Sequence, residues 1–210
     1  MRRIVIIDYG SGNLRSAAKA FEHVAEAGDT VTVSGEPTAL RDATHIVLPG
    51  VGAFGDCMAG LEARTGLRAA MEEEVHVRKK PFLGICVGMQ LLFTRGYEHG
   101  VHEGLNWIPG EVKALVPGGN LKVPHMGWNE LQLRAPHPLL QGLKNGDHAY
   151  FVHSYHAVCE NPADVLATTD YGGPVTAIVA HGNIMGTQFH PEKSQEPGLR
   201  LLSNFLNWVV

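Results

Sequence analysis

The chain opens on a continuous apolar run, Ile4-Val5-Ile6-Ile7, that ends at Asp8. Such a run suits a strand buried on both faces of a parallel sheet. A glycine-rich turn over residues 9–13 leads into a helix predicted over 14–27, with Gly28 as its stop. Residues 31–33 and 45–48 are the next strand candidates, and helical spacing over 56–77 breaks near Thr65-Gly66. A fourth strand is predicted over 82–85; beyond Cys86, Val87, Gln90, Leu91 and Phe93 fall at helical spacing. Strand alternating with helix at this rhythm implies right-handed crossovers and a mostly parallel sheet.

The second half reads differently. Residues 107–134 are rich in Pro and Gly, with short alternating runs such as 128–133. Strand candidates follow at 149–158, 165–168, 175–180 and 184–189, and an amphipathic closing helix at 198–209. The expected fold is α/β: an open, mostly parallel central sheet flanked by helices, extended by antiparallel or mixed strands from the second half. No linker, repeat or low-complexity tract divides the sequence, so residues 1–210 are expected to form one domain.

Composition narrows the class. An apolar fraction of 44% supports a full core, and a net charge of −4 gives no reason to expect nucleic acid or a membrane surface. Met1-Arg2-Arg3 runs directly into the first strand, with neither a signal peptide nor a transmembrane span, so a cytoplasmic location is expected. Cys57, Cys86 and Cys159 are odd in number and scattered, which argues against a disulfide framework and for a reducing compartment. The twelve histidines are spread out, with no metal-ligand spacing among them, and no metal is expected.

Candidate chemistry centres on Cys86. It stands at a strand-to-helix turn in a Gly-x-Cys-x-Gly pattern with Gly84 and Gly88, the thiol form of a nucleophile elbow. A helix N-terminus there would favour thiolate over thiol. The alternative is a small apolar residue packed between strand and helix. Three glycines in Pro49-Gly50-Val51-Gly52-Ala53-Phe54-Gly55 would let backbone N–H groups turn toward a ligand. In Gln188-Phe189-His190-Pro191-Glu192, extended backbone puts His190 and Glu192 on one side, so the carboxylate can orient the imidazole. A loop histidine beside a solvated glutamate is the other reading. The turn at 9–13 lacks the glycine that a dinucleotide fingerprint needs at Arg15, and Asn13 reads equally as an exposed contact or a helix cap. Nucleophile, backbone donors and oriented base all fall at strand ends, which fits acyl transfer through a thioester.

Pro49-Gly50-Val51-Gly52, Gly84-Ile85-Cys86-Val87-Gly88-Met89-Gln90 and His190-Pro191-Glu192 resemble the three signatures of class I (triad) glutamine amidotransferases. Residues 7–14, 123–129 and 150–155 are similar to the glutaminase subunits of imidazole glycerol phosphate synthases, and the likeness covers essentially the whole chain. Val87 stands where leucine is commoner and Ser154 where threonine is usual; both keep size and polarity. The resemblance implies a flavodoxin-like fold, glutamine as substrate and no cofactor. It implies Cys86 as nucleophile, His190 as base and Glu192 as orienter, with amides around Val51, Gly52 and Val87 holding the oxyanion. Gln90, Glu98, Ser154 and Tyr155 match glutamine-binding positions, and Glu98 would pair with the α-ammonium. Ammonia would pass to a (β/α)8-barrel cyclase subunit, with Asn13, Trp128, Tyr150 and Lys193 at or near that interface. The oxyanion loop would have to rearrange when the partner holds its nucleotide. Rival readings are the glutaminase of an anthranilate or aminodeoxychorismate synthase, a non-catalytic docking module, and a cysteine peptidase or chaperone of the wider fold.

Overall fold

The computed structural model describes residues 1–209. In chain order its strands are β1 (Arg3–Ile7), β2 (Thr30–Ser34), β3 (His45–Gly50), β4 (Phe82–Cys86), β5 (Phe93–Gly96), β6 (His102–Glu103) and β7 (Ile108–Ala114). Then come β8 (His125–Glu130), β9 (Gln132–Leu133), β10 (His148–His153), β11 (Tyr155–Cys159), β12 (Val165–Asp170), β13 (Pro174–His181) and β14 (Ile184–Thr187). The helices are α1 (Leu14–Val24), α2 (Pro37–Asp42), α3 (Phe54–Glu62), α4 (Leu67–Glu72), α5 (Val87–Gln90) and α6 (Gln195–Leu206), with a π-helical turn at Glu73–Val77.

The main sheet has the order β2-β1-β3-β4-β14-β13-β12-β9. Its pairings from β2 to β14 are parallel. The remaining three, β14–β13, β13–β12 and β12–β9, are antiparallel. The central strands β3 and β4 are buried along their whole length, as their unbroken apolar runs require, while edge strand β2 is half exposed. One continuous apolar cluster runs from Ile4 to Trp208.

The second half departs from expectation in its connections. Residues 149–158 do not form one strand extending the main sheet. They break at Ser154, where the His153 ring donates to the Tyr155 carbonyl and closes a corner. β10 pairs with β8 in a separate antiparallel ribbon, and β11 joins β7, β5 and β6 in a third sheet. Helix α1 stops three residues short of the predicted end, because Asp29 binds the amides of Arg2 and Glu26 and fixes a turn there. The helix after Cys86 ends at Gln90 rather than continuing to Phe93. The carbonyls of Leu91 and Leu92 are taken by the amides of Leu105, Trp107 and Ile108, a tertiary pull the local spacing does not carry. The run 184–189 leaves the strand at Thr187, and the closing helix spans Gln195–Leu206 rather than 198–209.

Close backbone approach at the end of β4 positions the site. A Cβ on Gly88 would overlap the Leu48 carbonyl oxygen, and one on Gly84 would lie 2.6 Å from the Gly88 oxygen. These two glycines let α5 sit directly on β3 and β4. Gly88→Ala is therefore expected to cost about 3 kcal/mol or more in urea unfolding, the upper range for overpacking. Gly118→Ala, where an added Cβ meets nothing within 4 Å, should stay within about 0.5 kcal/mol. Equal midpoints for the two variants would show that the close approach is not needed.

Candidate active site

Cys86 ends β4 with φ 56° and ψ −114°, the conformation expected of an elbow residue. A non-glycine residue with positive φ is strained by roughly 1–3 kcal/mol, and it persists here because buried strand and glycine-packed helix hold it from both sides. The thiol is almost fully enclosed, and Gln188 Nε2 approaches its Sγ at 3.8 Å. Gln188 Oε1 in turn accepts from Gln90 Nε2 at 3.0 Å, and the same Gln90 amide donates to the Tyr155 carbonyl at 3.0 Å.

His190 follows β14 and faces Glu192 as the two-residue spacing predicts. Its Nδ1 lies 2.8 Å from Glu192 Oε1, and both side chains are only 2% exposed. The carboxylate fixes Nδ1 as donor and leaves Nε2 for Cys86. The reading of a loop histidine with a solvated glutamate falls on this burial. Burial opposes protonation of His190, but hydrogen bonds to Cys86 and Glu192 outweigh it and push its pKa up to about 9. The turn is anchored from behind: Ser194 Oγ donates to the His190 carbonyl at 2.6 Å and accepts from the Tyr150 amide at 2.9 Å. The second oxygen of Glu192 is buried without a partner.

Cys86 and His190 open onto a cleft of about 300 Å³, lined also by Val51, Gly52, Val87, Gln90, Glu98, Ser154 and Tyr155. All the residues predicted for nucleophile, base, oxyanion and substrate contacts thus share one cavity, with Glu192 behind His190. Pro124, Val152 and His153 complete the lining, and Gln188 lies beneath it; the sequence pattern assigned none of these four a role. Gln188 was within reach, since it stands two residues before His190 and extended backbone puts it on the same side.

Two predicted contacts differ in detail. Glu98 is no solvated loop residue: its Oε2 accepts the Phe54 amide at 2.8 Å at the start of α3, so only part of its carboxylate is free for a ligand. The Val51 amide is turned to Ser11 Oγ at 3.1 Å, and the Ser11 hydroxyl donates back to the Val51 carbonyl at 2.6 Å. In this conformation the Val51 N–H is not aimed at an oxyanion.

The four predicted interface residues fall in two places. Trp128 on β8 pairs across the ribbon with Tyr150 on β10, their rings 5.9 Å apart, and Lys193 Nζ lies 5.8 Å from the centre of the Tyr150 ring. Trp128 is 47% exposed, so it is not a core tryptophan. Asn13 stands at the start of α1, half-buried, and its side chain makes no capping bond, which removes the cap reading.

The His190–Glu192 pair carries a pH dependence. A folded-state pKa of about 9 lies above the ordinary 6.5. The stability it contributes is fully present below about pH 6.5 and is lost as pH rises through about 9. Glu192→Gln keeps an acceptor for Nδ1 but removes the charge that favours the imidazolium, so the imidazole midpoint read by NMR should fall and turnover should drop about 10²-fold or more. An unchanged midpoint would mean that Glu192 does not govern the imidazole.

A family model described as glutamine amidotransferase class-I matches residues 5–208. The chain is 57% identical to the imidazole glycerol phosphate synthase subunit HisH of Bradyrhizobium diazoefficiens, covering 98% of each protein. It is 53% identical to the subunit of the same name from Rhodospirillum rubrum, covering 99% of each. Among solved structures it resembles a glutamine amidotransferase with TM-score 0.75 at 18% identity, over 97% of both chains. A glutamine amidotransferase from Thermotoga maritima superposes with TM-score 0.63 at 16% identity, over 98% of this chain and 96% of that one. At such identity these two structures speak to the fold, an α/β sheet flanked by helices. The family match runs from the first strand past the closing helix, and this chain belongs to the class I glutamine amidotransferases.

Proposed function

We propose that the chain is the glutaminase subunit of an imidazole glycerol phosphate synthase, acting in histidine biosynthesis as one domain. The observation that carries the chemistry is the buried His190–Glu192 pair behind Cys86 at a cleft sized for a small amino acid. The assignment to this synthase is supported by relatives of that name at 53% to 57% identity over nearly the full chain. The rival docking-module reading has no use for an intact, buried triad, and the rival synthases are disfavoured by those same relatives.

In this mechanism Cys86 Sγ attacks the side-chain carbonyl carbon of glutamine, forming a C–S bond while the carbonyl becomes an oxyanion. The amide N–H of Val87, after the nucleophile, and amides of the 51–52 loop would hold that charge. His190 gives the amide nitrogen the Nε2 proton it has taken from the Cys86 thiol, the C–N bond breaks, and ammonia leaves. His190 then takes a proton from water, whose oxygen attacks the thioester carbon; the C–S bond breaks, that proton passes from His190 to the Cys86 sulfur, and glutamate leaves. Glu98 would hold the substrate's α-ammonium, with Gln90, Ser154 and Tyr155 shaping the side-chain end of the cleft.

The Ser11–Val51 bonds give the partner a task. With the Val51 amide turned to Ser11, the peptide joining Gly50 to Val51 must rotate before that donor faces the cleft, and Gly50, hinging it on one side, carries no side chain to hinder the turn while Gly52 has open space beside it. A (β/α)8-barrel cyclase is proposed to seat on the Trp128, Tyr150 and Lys193 surface, with Asn13 near its margin. It would receive the ammonia and favour the rotated loop when it holds its nucleotide. Nothing in this scheme needs a metal, a cofactor, nucleic acid or a membrane. Among the described residues no helix is long and apolar enough to cross a membrane; a cytoplasmic site is part of the proposal.

Glutamate release should be low for the chain alone, low with a cyclase barrel partner, and high only when the barrel also holds its nucleotide. Cys86→Ala should lower release in the last sample by about 10⁴-fold or more while leaving complex formation intact. Turnover surviving in that variant would move the nucleophile elsewhere, and equal activity in all three samples would point to a different synthase. Trp128→Glu should weaken assembly about 30-fold or more, as expected for an aromatic anchor; an unchanged Kd would take Trp128 out of the interface.

A further inference from the structure

The ribbon β8–β10 has two faces with different chemistry. Its outer positions pair Trp128 with Tyr150 and Met126 with Val152, and Trp128 and Met126 are well exposed. Its inner positions pair His125 with His153, Gly127 with Phe151 and Asn129 with Ala149. His125 and His153 are directly opposite each other and almost fully buried. β10 ends at His153, and residues 152–155 form one wall of the Cys86 cleft.

The hydrogen bonds along the inner face allow one assignment of protons. The Tyr155 carbonyl can only accept, so His153 Nδ1, 2.8 Å away, carries the proton. Burial pushes the pKa of His153 down to about 3, and that of His125 down to about 4, so both rings are neutral at pH 7. His153 Nε2 is then an acceptor, and His125 Nδ1, 3.0 Å away, is its donor. His125 Nε2 is left to accept from Asn129 Nδ2 at 3.1 Å, and the same amide donates its second hydrogen to the Asp170 carbonyl at 2.9 Å. Every group has one partner for each proton and none is left over.

The chain does not stop at Tyr155. Its carbonyl also takes the Gln90 amide, which binds Gln188, whose Nε2 points at the Cys86 thiol. An unbroken series of polar contacts thus runs from Asn129, beside Trp128, to Cys86. The His125 ring cannot swing out of it. It is stacked between Phe151, centroids 4.7 Å apart, and Tyr171, 4.0 Å apart, both near parallel. A shift of the ribbon therefore carries both imidazoles and the Tyr155 carbonyl with it.

We propose that His125 and His153 are positioning residues for the glutaminase. They tie the outward, partner-facing ribbon to the Tyr155 carbonyl and, through Gln90 and Gln188, set the place of Cys86. The coupling to a partner rests on the function proposed above; the tie to the cleft does not.

The test has one arm for each. In Cys86→Ala, which is expected to bind glutamine without turnover and keeps the series from Asn129 to Gln188, adding glutamine should shift the Asn129 side-chain amide resonances. His125→Leu in that background should abolish the shift. His125→Gln should restore it, since its amide offers a donor toward His153 and an acceptor toward Asn129. No shift in Cys86→Ala, or the same shift in all three proteins, overturns the relay. In the complex, the measure is glutaminase kcat/KM with nucleotide-loaded barrel over unloaded barrel. His125→Leu should lower that ratio about tenfold and His125→Gln should keep it within about threefold. Equal loss of both rates in step with a lower Tm would make the pair a packing element and overturn the proposal. Should His125→Leu fail to fold, Asn129→Ala cuts the same series at a half-buried position, and an unchanged ratio there overturns it equally. A wild-type complex that shows no stimulation, beside a glutamine-dependent Asn129 shift, would refute the synthase partner and leave the relay standing.

Discussion

The site depends first on how near two backbones come to each other at the carboxyl ends of β3 and β4. Gly88 lies against the Leu48 carbonyl and Gly50 against the Gly88 amide, so no side chain separates helix from sheet. That contact lets the chain reverse at Cys86 with positive φ and turns its thiol toward the cleft. A strained residue of this kind survives only where its surroundings are over-determined. Phe82, Leu83 and Ile85 are buried on both faces of the sheet and hold the strand in register between β3 and β14. Burying three such side chains contributes roughly 1.5–3 kcal/mol each, more than the elbow costs.

The same logic holds the candidate base. A charged pair inside a protein is costly unless its members satisfy each other, and His190 and Glu192 do so across one 2.8 Å bond. The surrounding backbone holds the His190 turn in place, while the second Glu192 oxygen has no partner among the described residues. The His190 amide binds the Tyr150 carbonyl at 3.0 Å, and Ser194 bridges the His190 carbonyl and the Tyr150 amide. Tyr150 is therefore fastened to the base at its backbone while its ring faces outward beside Trp128 and Lys193. Chemistry and candidate interface are two sides of one short strand.

How much of this was legible in the sequence follows from which forces are local. The strands β1, β3 and β4 were legible because burial on both faces leaves an apolar run. The Cys86 elbow and the His190–Glu192 pair were legible because glycine spacing and a two-residue period are backbone properties. The ribbon strand β8 was only partly so: its inner positions are His125, Gly127 and Asn129, a polar series that does not alternate with its outer face as a core strand would. The break at Ser154 and the early end of α5 are set by bonds from distant segments, which no local window contains. Gln188 and His153 carry little signal in the sequence for a related reason. Glutamine is not reactive by type, and among twelve histidines nothing local singles out His153; each matters through what it touches.

The proposed oxyanion loop is where fold and the proposed regulation meet. Val51 exchanges two hydrogen bonds with Ser11, and the Cys57 thiol adds a weaker one to the Val51 carbonyl at 3.4 Å. Each neutral bond is worth about 1 kcal/mol net, so turning both peptides that flank Val51 away from Ser11 costs on the order of 2 kcal/mol. On the proposed function, a gap of that size would leave the rotated loop at a few per cent of the population, low enough to quiet the enzyme and small enough for a docked partner to reverse. Tighter anchoring would demand more from the partner than a modest interface supplies. Looser anchoring would let ammonia escape whenever glutamine is present. Two bonds to a single hydroxyl fall between those limits, in a loop whose Gly52 already has the backbone freedom to turn.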